Sequence, residues 1–294
     1  MNLYSANQIG LCASESLAKN RSGEVIGITS KGIFLKLADE SIIFLSTSHF
    51  GNPLTINLNP NQNVPIVNPG EPINLAQQAI HFEQSSIIVQ TGAASIYSSM
   101  RLSKPFSATP HPKQLSSFLV MLRSRLDHSV ALLDEALALI DHSTAIQSSD
   151  METRSALELL VHDAVSSPLE CVHPIRFFAG RGRGLTPSGD DLLMGWIYTL
   201  VRWGGTQALK LDQLRQALFQ AIENRTTSIS LNLIKAAAGG EIDERLLRAF
   251  EMMIGLRPFE DRAIQDILEW GSSSGIEVCA GMGLGIFSLY RSAL

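Results

Sequence analysis

The hydrophobic period changes partway along the chain, and that change constrains the fold more than any single residue. Between about residues 24 and 100 the apolar residues come in short β-branched runs. Gly32-Ile33-Phe34-Leu35-Lys36-Leu37 and Ser41-Ile42-Ile43-Phe44-Leu45 flank Ala38-Asp39-Glu40, which predicts a hairpin. Leu54, Ile56 and Leu58 alternate with polar residues, the period of a half-buried strand, and Ile87-Ile88-Val89 is another short run. Asn59-Pro60 and Asn68-Pro69-Gly70 mark turns between them.

From about residue 112 the period becomes helical. Phe118, Leu119, Leu122, Leu126, Val130, Leu133, Leu137 and Ile140 recur at three- and four-residue steps, which predicts one long helix with an apolar face. Ser149 with Glu152 reads as a capping box. Further helices are expected over 192–202, 211–223, 229–238, 241–253, 261–270 and 276–290. The expected fold is therefore α+β: a mostly antiparallel β domain over residues 1–110, then a mainly α-helical domain over 111–294. The junction is expected in the Pro105–Pro112 stretch.

Composition narrows the function classes. With 294 residues, 45% hydrophobic and 17% charged, the chain can build two cores and lies far from a disordered composition. A net charge of −5 argues against a nucleic-acid surface, which shows a basic stripe. Cys12, Cys171 and Cys279 are dispersed and odd in number, as reduced thiols in a cytoplasmic protein are. Residues 1–20 lack the basic and apolar regions of a secretory leader, and no apolar stretch suits a bilayer span. The seven histidines form no H-E-x-x-H or similar motif; His173 alone is kept as a reserve acid/base.

The densest polar chemistry lies in Gly180-Arg181-Gly182-Arg183-Gly184-Leu185-Thr186-Pro187-Ser188-Gly189-Asp190-Asp191, which runs into the apolar helix carrying Gly195. Glycines free backbone N–H groups, and a helix N-terminus carries partial positive charge, so this loop suits an anion. Gly184 and Gly189 have the spacing of a nucleotide phosphate loop, but Asp190 and Asp191 stand where that loop needs Lys and Ser/Thr. A nucleoside-triphosphatase reading is thereby rejected. Arg181 and Arg183 supply cationic forks, while Thr186, Ser188 and the loop amides cradle the anion. Asp190 or Asp191 would orient an amide, act as a base or hold magnesium. A plain helix cap needs only one such residue.

Two further clusters belong to the same reading. Arg225-Thr226-Thr227 precedes an apolar helix and suits an anion, although composition alone favours capping by Thr226 or Thr227 with Arg225 on a solvated face. Ser273-Ser274-Gly275 with Glu277 repeats the form S-G-x-[DE]-x-x-x-G found at Ser188–Gly195. The repeat suggests two helix N-termini facing a shared pocket, with Gly195 and Gly281 allowing close approach. Glu277 would join Asp190 or Asp191 around a cation, oxygen donors being suited to magnesium.

The block G-x-G-L-T-P-S-G-D-D at 182–191, with Arg225-Thr226-Thr227-x-x-Ser230 and Gly271–Gly275, resembles the AllH-like family, the third subunit of oxamate carbamoyltransferase in anaerobic allantoin breakdown. The resemblance spans most of the C-terminal half. Glu277 departs from the Asp expected at that position. The resemblance implies phosphorolytic carbamoyl transfer between oxalurate plus phosphate and oxamate plus carbamoyl phosphate. It also implies partner subunits, one of them similar to the acyl-CoA synthetase α chain. A non-catalytic assembly subunit and a magnesium-dependent acyl or phosphoryl transferase are the alternatives. The resemblance assigns no catalytic roles; on chemistry, Asp190, Asp191 and Glu277 are the expected catalytic groups.

Overall fold

A computed structural model describes residues 2–102, 112–141, 150–203 and 208–292. The described residues up to 102, together with Glu241–Glu244, form one compact unit; those from 112 onward, without these four, form the other. The expected junction at 105–111, Ser149, His111 and His142 lie outside the described residues.

The first unit is a sheet of nine strands: β1 (Asn2–Gly10), β2 (Ser22–Thr29), β3 (Gly32–Leu37), β4 (Ile42–Ser46), β5 (Thr55–Leu58), β6 (Pro72–Ala76), β7 (Ala79–Phe82), β8 (Ile87–Gln90) and β9 (Ser95–Tyr97). The order β5-β4-β3-β2-β6-β7-β8-β1 closes on itself because β1 also pairs with β5, and β9 lies parallel to β1. Six of the nine pairings are antiparallel; β1–β8, β1–β9 and β4–β5 are parallel. Ring closure leaves these eight strands paired on both sides, which removes the edge that invites aggregation. Ile33, Leu35 and Leu37 point inward with Ile73, Leu75, Ile80 and Val89, while Phe34 pairs with Phe44 on the outer face at 4.5 Å between ring centroids. The expected hairpin is present, with Leu35 opposite Ile43.

Strand β5 departs from the expected half-buried pattern: all four residues are buried, Thr55 and Asn57 included. Asn57 is tolerated because its amide donates to the Phe50 carbonyl at 2.7 Å. Strand β1, followed by helix α1 (Leu11–Lys19), was not legible, since Asn2–Gln8 shows no apolar alternation. A short helix α2 (Ser99–Leu102) ends the contiguous part of the unit.

Glu241–Glu244 joins this unit through polar anchors. Glu241 is 5% exposed and accepts from the Ser98 hydroxyl and the Ser99 N–H. Tyr97 donates to the Ile242 carbonyl at 2.8 Å, Asn52 to the Asp243 carboxylate at 3.1 Å, and the Gly51 N–H to Glu244 at 3.0 Å. The helix expected over 241–253 accordingly begins at Glu244, because the residues before it spend their hydrogen-bonding groups on the β unit.

The second unit is helical: α3 (Pro112–Ser124), α4 (Ala131–Ile140), α5 (Met151–Ser166), α6 (Val172–Phe178), α7 (Ser188–Trp203), α8 (Ala208–Ile222), α9 (Ser228–Ala238), α10 (Glu244–Met253), α11 (Asp261–Leu268) and α12 (Ser274–Ser292). The single long helix expected over 118–140 is two helices. The polar stretch Asp127-His128-Ser129 interrupts it, and Ser129 and Arg123 both bind Asp134 across the break. Asp150, rather than Ser149, caps α5, accepting from the Glu152 N–H at 3.2 Å.

Helices α7 and α12 form the centre, with α12 buried from Gly275 to Ser288 and packed on α3, α4, α5 and α7. The two run side by side with almost no space between backbones. A methyl group on Gly195 would sit 2.0 Å from the Val278 carbonyl oxygen, and one on Gly281 would sit 1.9 Å from that of Leu192. The contacts are reciprocal, so each repeat of S-G-x-[DE]-x-x-x-G supplies the glycine that receives the other. Since no side chain fits, Gly281→Leu is expected to cost about 3 kcal/mol or more. A fall in thermal midpoint against wild type measures it.

Candidate functional site

Three helix starts meet where the sequence concentrates its polar residues. The loop between α6 and α7 is a chain of local bonds: the Arg181 N–H donates to the Phe178 carbonyl at 2.9 Å, and the Gly189 N–H to the Arg181 carbonyl at 2.8 Å. Gly180 has φ of 71°, and a methyl group there would meet the Arg225 carbonyl oxygen at 1.9 Å, so only glycine fits. Thr186 and Ser274 share a hydroxyl–hydroxyl hydrogen bond at 3.0 Å, which joins the start of α7 to that of α12. Thr227 joins α9 to the same loop: its hydroxyl donates to the Leu185 carbonyl at 2.6 Å and accepts from the Ser230 N–H at 3.0 Å.

The two adjacent aspartates have different surroundings. Asp190 is 1% exposed and both oxygens are engaged, one by the Gly180 N–H at 2.7 Å and the other by the Thr226 hydroxyl. Burial raises its pKa, while the Thr226 and Gly180 hydrogen bonds draw it back. Asp191 is 2% exposed, and its Oδ2 has no hydrogen-bond partner. Burial pushes its carboxyl up to about 8; the nearby charges of Glu277 and Asp190 add to this, and the Ser274 and Thr186 hydroxyls oppose it. Glu277, 6% exposed, accepts from Ser273 at 3.2 Å. The junction thus holds a carboxyl whose pKa burial raises, with one oxygen that has no hydrogen-bond partner among the described residues.

The remaining expected site residues sit around this junction. Ser188 opens α7; Gly189 and Gly275 press on the carbonyls of Phe178 and Ile267, where methyl groups would come within 2.1 and 2.3 Å. Gly184 is exposed with open space around it. Arg183 and Arg225 are exposed and make no ion pair among the described residues, whereas Arg181 pairs with Asp150 at 3.1 Å and lies over the Phe177 ring at 4.1 Å. His173 is exposed. Asp150 and Phe177, which hold Arg181, carried no signal in the sequence. Among the described residues, no group of three or more His, Cys, Asp and Glu side chains is arranged to hold a metal, and no helix is long and apolar enough to cross a membrane.

These features define an α+β protein whose helical unit gathers three helix starts around a buried carboxyl. Residues 178–286 match the family model of oxamate carbamoyltransferase subunit AllH, and over that span the chain is similar to this family. No curated protein and no solved structure matches it.

Two measurements check the electrostatics. Because the folded pKa of Asp191 is raised, folding is favoured by protonation there. That contribution is complete below the unfolded value of about 4 and is lost as pH rises to about 8. Asp191→Asn is expected to raise the thermal midpoint increasingly over wild type between pH 4 and 8. Thr226→Val, which strips one partner from buried Asp190, is expected to cost about 1–3 kcal/mol, with Thr226→Ser close to wild type in chemical denaturation.

Proposed function

We propose that this chain is the carbamoyl-transfer subunit of an oxamate carbamoyltransferase-like enzyme, acting with partner chains that include an acyl-CoA-synthetase-like subunit. The match over 178–286 supports the enzyme and the partner chains, since the family is named as a subunit. The observation that carries the site assignment is the unpartnered Oδ2 of buried Asp191 at the meeting point of α7, α9 and α12.

Both substrates are small anions. The exposed Arg183 and Arg225 would hold phosphate and carboxylate. A phosphate oxygen attacks the carbamoyl carbon of oxalurate, the bond from that carbon to the oxamate nitrogen breaks, and carbamoyl phosphate leaves. Asp191 gives its proton to the departing nitrogen and takes the proton that phosphate sheds, so the carboxyl returns to its starting state. Its raised pKa suits the role, because an ordinary aspartate has no proton to give at pH 7. Asp190 does not take part in this transfer; it ties Gly180 to Thr226 and thereby fixes the loop. Burial raises the pKa of Asp191, and the like charge of Glu277 adds to that.

Phosphorolysis of oxalurate by the assembled complex tests this reading. Asp191→Asn is expected to lower kcat by about 10²–10⁴ while the complex still co-purifies. Turnover at the wild-type rate overturns it, and loss of assembly in place of chemistry supports a non-catalytic subunit.

A further inference from the structure

The β unit has its own cavity, of about 440 Å³, between α1, the β6–β7 turn and the segment leading into β9. That volume falls in the range of small-ligand sites. Ile9, Leu17, Leu75 and Ile96 give it apolar walls, and Arg21, Gln77, Gln78 and Ser14 give it polar groups. Arg21, which is exposed, donates to the Asn20 carbonyl at 3.4 Å and makes no ion pair among the described residues, and the side chains of Ser14 and of the exposed Gln77 and Gln78 make no hydrogen bonds there.

The turn that supplies the glutamines is strained. Gln77 and Gln78 have φ of 52° and 58°, the left-handed pair of a two-residue hairpin loop, where Asn and Gly are the residues of low cost. The turn is also pinned: the N–H and hydroxyl of Thr91 both donate to the Gln78 carbonyl, at 2.8 and 2.7 Å. The Gln78 side chain lies over Gly92, where a methyl group would come within 2.3 Å of its amide oxygen. Strain held in place by neighbouring bonds, beside a cavity with an unpaired cation, marks a binding site better than a plain turn.

We infer that this cavity binds a planar heterocycle carrying one phosphate or carboxylate group. Arg21 pairs with the anionic group as a two-pronged donor. The glutamine amides, each donor and acceptor, meet the polar edge of the ring, and the apolar walls take its faces. A nucleoside monophosphate and a free heterocyclic carboxylate share this chemistry.

Calorimetric titration of the full chain with AMP, orotate, adenosine and inorganic phosphate tests the inference. AMP or orotate is expected to bind with Kd below about 1 mM, and adenosine and phosphate at least tenfold more weakly. A preference for AMP assigns the site to nucleotides, and one for orotate to free acids. Arg21→Gln is expected to weaken binding at least tenfold. Ala18→Phe, a change on the cavity wall at an exposed position of α1, is expected to abolish it with the thermal midpoint kept. Absence of binding by both anions, or affinity unchanged in both variants, overturns the inference.

Discussion

The backbone contact between α7 and α12 is the constraint on which the helical unit rests. Gly195 and Gly281 each receive the carbonyl side of the opposite helix, so the two axes come closer than any side chain would permit. Close approach brings the two helix starts together, and Thr186 then reaches Ser274. It also strips water from the first turns, where Asp191 and Glu277 sit. The perturbed carboxyl is therefore a consequence of helix packing: the same glycines that build the core create the low-dielectric setting of the site.

Within that setting, adjacent aspartates have different partners. Asp190 has two donors and closes the loop onto α9, while Asp191 keeps one oxygen unpartnered beside a second acid. An unpaired buried oxygen is costly to folding, and such costs persist where a ligand or reacting group uses them.

The β unit solves a different problem. Its strands are short, and ring closure through β1–β5 protects edges that would otherwise be open. Several buried polar groups have partners: the Asn57 amide donates to Phe50, Glu71 accepts from Ser85, and Glu241 accepts from Ser98 and Ser99. Glu241–Glu244 belongs to this unit through such bonds, although it lies far along the chain from the strands.

Much of this was legible locally. The switch from alternating to three-and-four spacing at about residue 112 gave the α+β class, since hydrophobic period reflects the geometry of the element itself. The S-G-x-[DE]-x-x-x-G repeat pointed to paired helix starts, because glycine spacing records where backbones need room. Other features depend on distant partners and leave no local trace. The break at Asp127–Ser129 is stabilised by Asp134, burial of β5 by its neighbours on both faces, and the late start of α10 by residues 51, 52 and 97–99. By itself the sequence determined the α+β class and where the polar loop lies, both properties of neighbouring residues. Only the tertiary structure decided which aspartate is clamped by two donors and which keeps an unpartnered oxygen, because desolvation and hydrogen-bond partners come from other parts of the chain.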